Sequence, residues 1–507
     1  MFFRFSIVIL GMGLFTSACG SIPSLRSSST FTQQPSPTAE FVETISPSPS
    51  TSLQENTPSV EDAEHLLDML ATGDKGEMDV ALQRILAAQD ERFVAVLIEL
   101  IRADQIGLMR NVNYSALINT LEKLSGQPLG DDWPAWVEWY GSTELYPPPG
   151  FTSWKGGLLS KIDPEFGVFL QDDHPSRIRV EEIQWGGVLV DGIPALFNPL
   201  MITASQAYYL DPGEPVFGIA LNGDARAYPL RILDWHEMAN DVVGGVPVSL
   251  AYCTLCGAGI AFEGRASDGR TYTFGSSGFL YRSNKLMYDR ETRTLWNQLT
   301  GEPVLGELAD TDLRLSILPI VLTSWADWLE QHPETQVLSL ETGYKRPYEL
   351  GAAYGDYFSF EDTMFPVWQR SQELQSKARV YALNLDGVPK AYALERLVED
   401  QVVNDLLGET PLVLIAQRGT VEVEGSNQRI GPVAYNSGGE VRAFQSGDHI
   451  FSPGPQADTV MDEQGNIWQV TEDALVGPDE EIAPRLGGHL AYWFGWFAFF
   501  PNTLVYK

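Results

Sequence analysis

The stretch Val216-Phe-Gly-Ile-Ala-Leu-Asn-Gly-Asp-Ala-Arg-Ala-Tyr228 returns, altered, as Val380-Tyr-Ala-Leu-Asn-Leu-Asp-Gly-Val-Pro-Lys-Ala-Tyr392. In the first copy an apolar run ends at Asn222-Gly223, a strong hairpin turn, and the second copy repeats the order. The offset of 164 residues holds through Asn240-Asp241 against Asn404-Asp405, Gly244 against Gly408 and Pro247 against Pro411. An offset of 168 then pairs Trp325, Trp328, Pro333 and Thr335 with Trp493, Trp496, Pro501 and Thr503. Leu230 to Met238 reads as a helix, and Val246 to Tyr252 as a buried strand running into Cys253. These signals predict an α+β fold: a duplicated mixed α/β body with pseudo-twofold halves.

The two copies differ where chemistry resides. The first carries His236, Cys253 and Cys256; the second has Asp400, Gln417 and an ordinary strand-like run at the matching places. The first copy is therefore expected to hold the site, with the second as scaffold.

Upstream, from Glu61 to about Gly141, the apolar period is helical. Leu97, Ile98 and Ile101 share a face, as do Leu117, Leu121 and Leu124, with Gly126 as a stop signal. Three or four short helices are expected, forming a small all-α domain. Trp133, Trp136 and Trp139 lie at helical spacing and read as packing against the next domain. Pro147-Pro148-Pro149 marks the linker. The expected divisions are 61–145 helical, 150–345 first copy and 346–507 degenerate second copy.

The N-terminus reads as an export signal over 1–19. Arg4 is its lone positive charge, Phe5 to Phe15 a short apolar core, and Thr16-Ser17-Ala18 are small residues before Cys19. The triplet resembles a bacterial lipoprotein cleavage site, so Cys19 is the expected lipidation point, with plain secretion as the alternative. The Ser/Thr/Pro-rich segment 20–60 lacks the apolar residues to order itself and reads as a tether. The expected location is extracytoplasmic, at the membrane through Cys19. A net charge of −34 over 507 residues argues against nucleic acid, which requires a basic face.

Tyr252-Cys-Thr-Leu-Cys-Gly-Ala-Gly259 is the strongest chemical signal. Two cysteines separated by two residues put both sulfurs within reach of one metal or of each other, and Gly257 permits a tight knuckle. A zinc ribbon requires a second pair, which is missing. Two thiolates completed by His236, Met287 or a carboxylate such as Glu237 suit copper(I) better than zinc. The rival is thiol–disulfide exchange, with Cys253 and Cys256 cycling between dithiol and disulfide. The bland alternative is a structural or inert pair. Gly257 stands where haem attachment needs a histidine, and no phosphate-cradling or dinucleotide loop occurs, so neither haem nor nucleotide is expected. A third region, Gly275 to Gln298, gathers Arg282, Asn284, Asp289, Arg290, Trp296 and Gln298. These could line a small-ligand cleft; alternatively the segment is a braced hairpin turning at Asp289 to Thr292.

The same residues resemble a bacterial family, domain of unknown function 3179. The resemblance rests on Asn222-Gly223 with Ala225-Arg226-Ala227-Tyr228-Pro229, His236-Glu237 with Asn240-Asp241, and Gly245 with Pro247. It continues through Tyr252-Cys253, Leu255-Cys256-Gly257, Ser277-Gly278, Met287-Tyr288-Asp289-Arg290 and Leu295-Trp296 with Gln298-Leu299-Thr300-Gly301. Thr254 replaces the proline usual between the cysteines. The resemblance implies an exported protein and supplies no mechanism. Three functions therefore stand open: metal binding, delivery or sensing with copper foremost; a thiol–disulfide oxidoreductase; or a non-catalytic surface interaction module. For the first two, a partner protein in metal or thiol exchange is expected.

Overall fold

The computed structural model describes residues 60–507 except 72, 73, 110, 111, 359, 417–419 and 428–430. The export signal, Cys19, the tether and Gln417 lie outside the described residues. Among those described, no helix is long and apolar enough to cross a membrane.

An N-terminal helical region precedes a body of several β-sheets. Its helices are Val60–Ala71, Lys75–Ala88, Phe93–Gln105, Tyr114–Ser125 and Trp133–Gly141, one or two more than the periodicity predicts. Local capping punctuates them. Asp74 accepts from the N–H groups of Gly76 and Glu77, and Asn113 and Asp132 cap the fourth and fifth helices; each such cap is worth about 1 kcal/mol. Of the three tryptophans at helical spacing, Trp133 and Trp136 are buried in the apolar cluster of the N-terminal helices, and Trp139 is half-buried against it.

Two further helices, Phe151–Leu159 and Pro164–Phe169, lead into the sheets. Lys155 is fully buried there. Its Nζ lies 2.6 Å from Glu99 and donates to the carbonyls of Val180, Glu181 and Ile183, joining the helical region to the first strand, Ile183–Trp185. That strand edges a five-stranded sheet continuing through Phe274–Tyr281, Asn284–Asp289, Leu295–Asn297 and Glu302–Leu305.

The hairpin that opened the sequence reading is strands Pro215–Leu221 and Asp224–Pro229, with Asn222 and Gly223 both at positive φ, as a type I′ turn requires. Val321–Ser324 flanks the first strand antiparallel, and Gln336–Leu338 runs parallel to the second. The same pairing pattern occurs later in the chain. Arg379–Leu385 and Val388–Ala393 form the hairpin, His489–Tyr492 is the antiparallel flank and Leu504–Tyr506 the parallel one.

Buried polar contacts recur with it. Tyr228 donates to Asp241 and Tyr392 to Asp405, while Arg226 and Lys390 pair with those same carboxylates. The indoles of Trp328 and Trp496 donate to Thr335 and Thr503, each at 2.9 Å. The indoles of Trp296 and Trp468 donate to Asp289 and Asp462.

In the first half a helix, Leu230–His236, leads to Met238–Val243, Val246–Cys253 and Ala258–Glu263, three successive antiparallel strands. The cysteines sit at the turn between the last two.

Candidate functional site: a buried cysteine pair

The reactive turn forms because strand Val246–Cys253 ends at its last residue, Cys253, which pairs with Ala258. Thr254, Leu255, Cys256 and Gly257 make the bend, closed by Gly257 N–H to the Thr254 carbonyl at 3.3 Å. Both cysteines are free thiols and buried. The second half of the chain packs directly on them. Tyr492 N–H donates to the Cys256 carbonyl at 2.7 Å. A Cβ at Gly495 would lie 2.7 Å from the Cys256 Cβ, so only glycine lets helix Trp493–Phe497 approach this closely.

Gln298 and Asn284 fix the polar surroundings of Cys256. The Gln298 amide nitrogen donates to the carbonyls of Ala251 and Ala258, so its Oε1 must accept. It accepts from Asn284 Nδ2 at 2.8 Å, and the same nitrogen donates to Cys256 Sγ at 2.9 Å. The Asn284 orientation is thus set by two strand carbonyls rather than by the sulfur.

The two thiols are driven apart in acidity. For Cys253 the largest influence is burial, which pushes the thiol up. Hydrogen bonds from the Cys256 thiol and from the backbone N–H groups of Lys285 and Cys256 outweigh it, despite the nearby Glu237 carboxylate, and the net shift is downward. Cys256 goes the other way. Burial, then the hydrogen bond with and charge of Cys253, push it well up against the opposing Asn284 contact. Cys253 is the favoured thiolate and Cys256 the proton holder.

A buried ion pair adjoins them. Lys285 Nζ lies 3.3 Å from both the Glu237 carboxylate and its carbonyl, and Tyr354 donates to Glu237 Oε1 at 3.2 Å. Tyr357 closes the outer side, its hydroxyl donating to the Leu255 carbonyl at 2.5 Å. Burial raises both phenols far above their usual range, so they remain neutral donors.

The residues singled out by sequence separate into groups. Met287 shares the apolar cluster of Cys253 and Cys256, together with Met238. His236 is buried with both ring nitrogens engaged, Nδ1 at 2.8 Å from the Pro194 carbonyl and Nε2 at 2.6 Å from the Tyr348 hydroxyl. Burial, only partly offset by the Pro194 contact, lowers its pKa, and the neutral ring donates to Pro194 and accepts from Tyr348.

Of the cleft candidates, Asn284 and Gln298 reach the cysteines. Asp289 and Trp296 instead brace the hairpin turn, Asp289 also accepting from Thr292. Arg282 pairs with Glu182 and the Ala498 carbonyl, and Arg290 with Asp191. Among the described residues no group of three or more His, Cys, Asp or Glu side chains is placed to hold a metal ion.

Sequence reasoning missed Lys285, Tyr354 and Tyr357. Lys285 alone had a legible signal: a lysine inside Asn284–Asp289, a strand buried throughout, requires a buried partner.

These observations define a mixed α+β protein whose sheets bury an asymmetric Cys-x-x-Cys pair. The chain belongs to the family described as Protein of unknown function (DUF3179), which matches residues 190–503. Neither curated proteins nor solved structures gave a match.

Proposed function

We propose that the protein is a thiol–disulfide redox protein acting through Cys253 and Cys256. The observation that carries this reading is two free, buried thiols in one turn with Asn284 Nδ2 donating to Cys256 Sγ, surroundings that push Cys253 down and Cys256 up in pKa. The Cys253 thiolate attacks one sulfur of a substrate disulfide, forming a mixed disulfide and expelling a thiolate. Cys256 gives its proton to that leaving thiolate and attacks Cys253 Sγ. An internal disulfide forms, the second substrate sulfur leaves as a thiolate that takes its proton from solvent, and two electrons have passed to the substrate. The partner is a disulfide-bearing molecule.

The test is mass analysis after equilibration in glutathione buffers of graded potential. The expected product loses two hydrogens in one cooperative step, and Cys256→Ser accumulates a mixed disulfide that Cys253→Ser does not. Cysteines that remain dithiol at every potential would end this reading.

A second reading is favoured by Met287, a soft thioether in the same buried cluster: copper(I) held by both thiolates, for metal binding, delivery or sensing. His236 leaves the ligand set here, because ligation would break one of its two hydrogen bonds. Elemental analysis of protein purified without chelator separates the readings; one equivalent of copper, lost in Cys253→Ala/Cys256→Ala, favours the second.

The matching sheet orders and polar pairs support a duplicated body with a degenerate second half. Attachment to the extracytoplasmic membrane face through lipid on Cys19 completes the reading. It predicts labelled-lipid incorporation that disappears in Cys19→Ala.

A further inference from the structure

A thiol–disulfide cycle through this pair puts a negative charge on each sulfur in turn, first on Cys253 and then on Cys256. Each buried anion requires hydrogen-bond donors in place of water. Besides the Cys256 thiol, Cys253 draws on the backbone N–H groups of Lys285 and Cys256. Cys256 relies on a side chain. It is 0% exposed, and among the described residues the side-chain N–H at hydrogen-bond distance from its Sγ is Asn284 Nδ2, at 2.9 Å.

That donor is held in place against the needs of the amide itself. Asn284 is buried, and its Oδ1 is an acceptor with no partner. Turning the amide over would set Oδ1 against Gln298 Oε1, acceptor against acceptor, because the Gln298 nitrogen is already engaged by the carbonyls of Ala251 and Ala258. Two strand carbonyls thus lock the donor on the sulfur and leave the oxygen open. Packing alone does not call for this arrangement, since a leucine of similar size would bury no open oxygen.

We infer that Asn284 is a catalytic residue of the second thiol–disulfide step, its Nδ2 holding the Cys256 thiolate while that sulfur attacks Cys253, and that Gln298 is the positioning residue that aims it. The inference rests on the redox reading above. In this step the Cys253–Cys256 bond forms and the bond from Cys253 to the substrate sulfur breaks. The electron pair leaves with the substrate sulfur, which takes a proton from solvent. Cys253, bonded to the substrate, is neutral by then, so the charge with which it opposed a Cys256 anion is gone. Burial and the Glu237 carboxylate still oppose that anion, and the Asn284 contact favours it. A hydrogen bond strengthens when its acceptor becomes an ion, so this one serves the attacking thiolate more than the resting thiol.

The test uses the full chain carrying Cys19→Ser, so that only the pair reports, mixed with dipyridyl disulfide, whose thiol absorbs light once released. The first release reads attack by Cys253 and quickens with probe concentration; the second reads attack by Cys256 within the same molecule and does not. Losing a hydrogen bond to an anion raises its pKa by about one to two units, and roughly half of that returns as nucleophilicity of the more basic sulfur. Asn284→Leu should therefore slow the second release about three- to tenfold and leave the first within about twofold of the parent. Asn284→Ala, which cannot overpack the site, carries the same expectation should the leucine variant not fold. Gln298→Met should slow the same step by less. Asn284→Leu/Gln298→Met should be no slower than Asn284→Leu, because Gln298 acts through Asn284.

A second release at the parent rate in the folded Asn284 variant overturns the inference, as do first and second releases slowed alike, the mark of a merely loosened site. An additive loss in the double variant overturns the role given to Gln298. A parent that releases only the first thiol overturns the redox reading and this inference with it, whereas a parent that completes both steps leaves the outcome to the Asn284 variant alone.

Discussion

Replacing Lys285 with methionine removes the cation from the Lys285–Glu237 pair while keeping the shape of the side chain. The two side chains are 4% and 8% exposed and 3.3 Å apart. At that separation the attraction is about 5 kcal/mol at an effective dielectric of about 20. Breaking a buried pair from one side typically costs roughly 3–5 kcal/mol.

Lys285→Met should therefore lose about 4 kcal/mol, a drop in melting temperature of about 4 °C for a body of this size. Tryptophan fluorescence during heating reads it. Lys285→Met/Glu237→Gln should recover most of the loss. A single variant within about 0.5 kcal/mol of the parent would refute the reasoning.

His236→Phe should cost about 1–3 kcal/mol by stranding the Pro194 carbonyl and leave the thiol–disulfide equilibrium unchanged; a shifted equilibrium would bring His236 back into the site. Burial pushes the His489 imidazole down to about 4 from its ordinary 6.5. The unfolded chain therefore binds the extra proton first. The stability tied to this group is complete above pH 6.5 and is lost as pH falls towards 4, by roughly 3 kcal/mol in all. His489→Phe should remove that part of the acid limb in melting scans, and an unchanged slope contradicts the assignment. Gly495→Ala drives a methyl into the Cys256 Cβ and should cost about 1–3 kcal/mol while speeding alkylation of the pair several-fold. Alkylation at the parent rate would show that helix Trp493–Phe497 does not guard the thiols.

The hairpins were legible because Asn222-Gly223 states its turn type locally, and the helix into strand Val246–Cys253 because its period changes visibly. The cysteines declared themselves by spacing. What surrounds them did not, since each contact joins residues far apart in the chain: Lys285 to Glu237, Tyr357 to Leu255, Tyr492 to Cys256. His236, close in sequence to the cysteines, reads as a ligand from the sequence alone; its partners Pro194 and Tyr348, 42 and 112 residues away, are visible only in the fold. The six cleft candidates scatter for a related reason. Arg282 sits in the positive-φ turn between strands Phe274–Tyr281 and Asn284–Asp289 and reaches Glu182, while Asn284, the first residue of the next strand, reaches a sulfur.

The contact between Tyr492 and Cys256 has a consequence in time as well as space. The wall over the cysteines comes from residues more than two hundred positions further along the chain, so it is synthesised well after the thiols. Until that wall docks, Cys253 and Cys256 are open to oxidant, metal or another chain. Any cargo the pair is to carry, and any wrong partner it is to avoid, has this interval in which to find it.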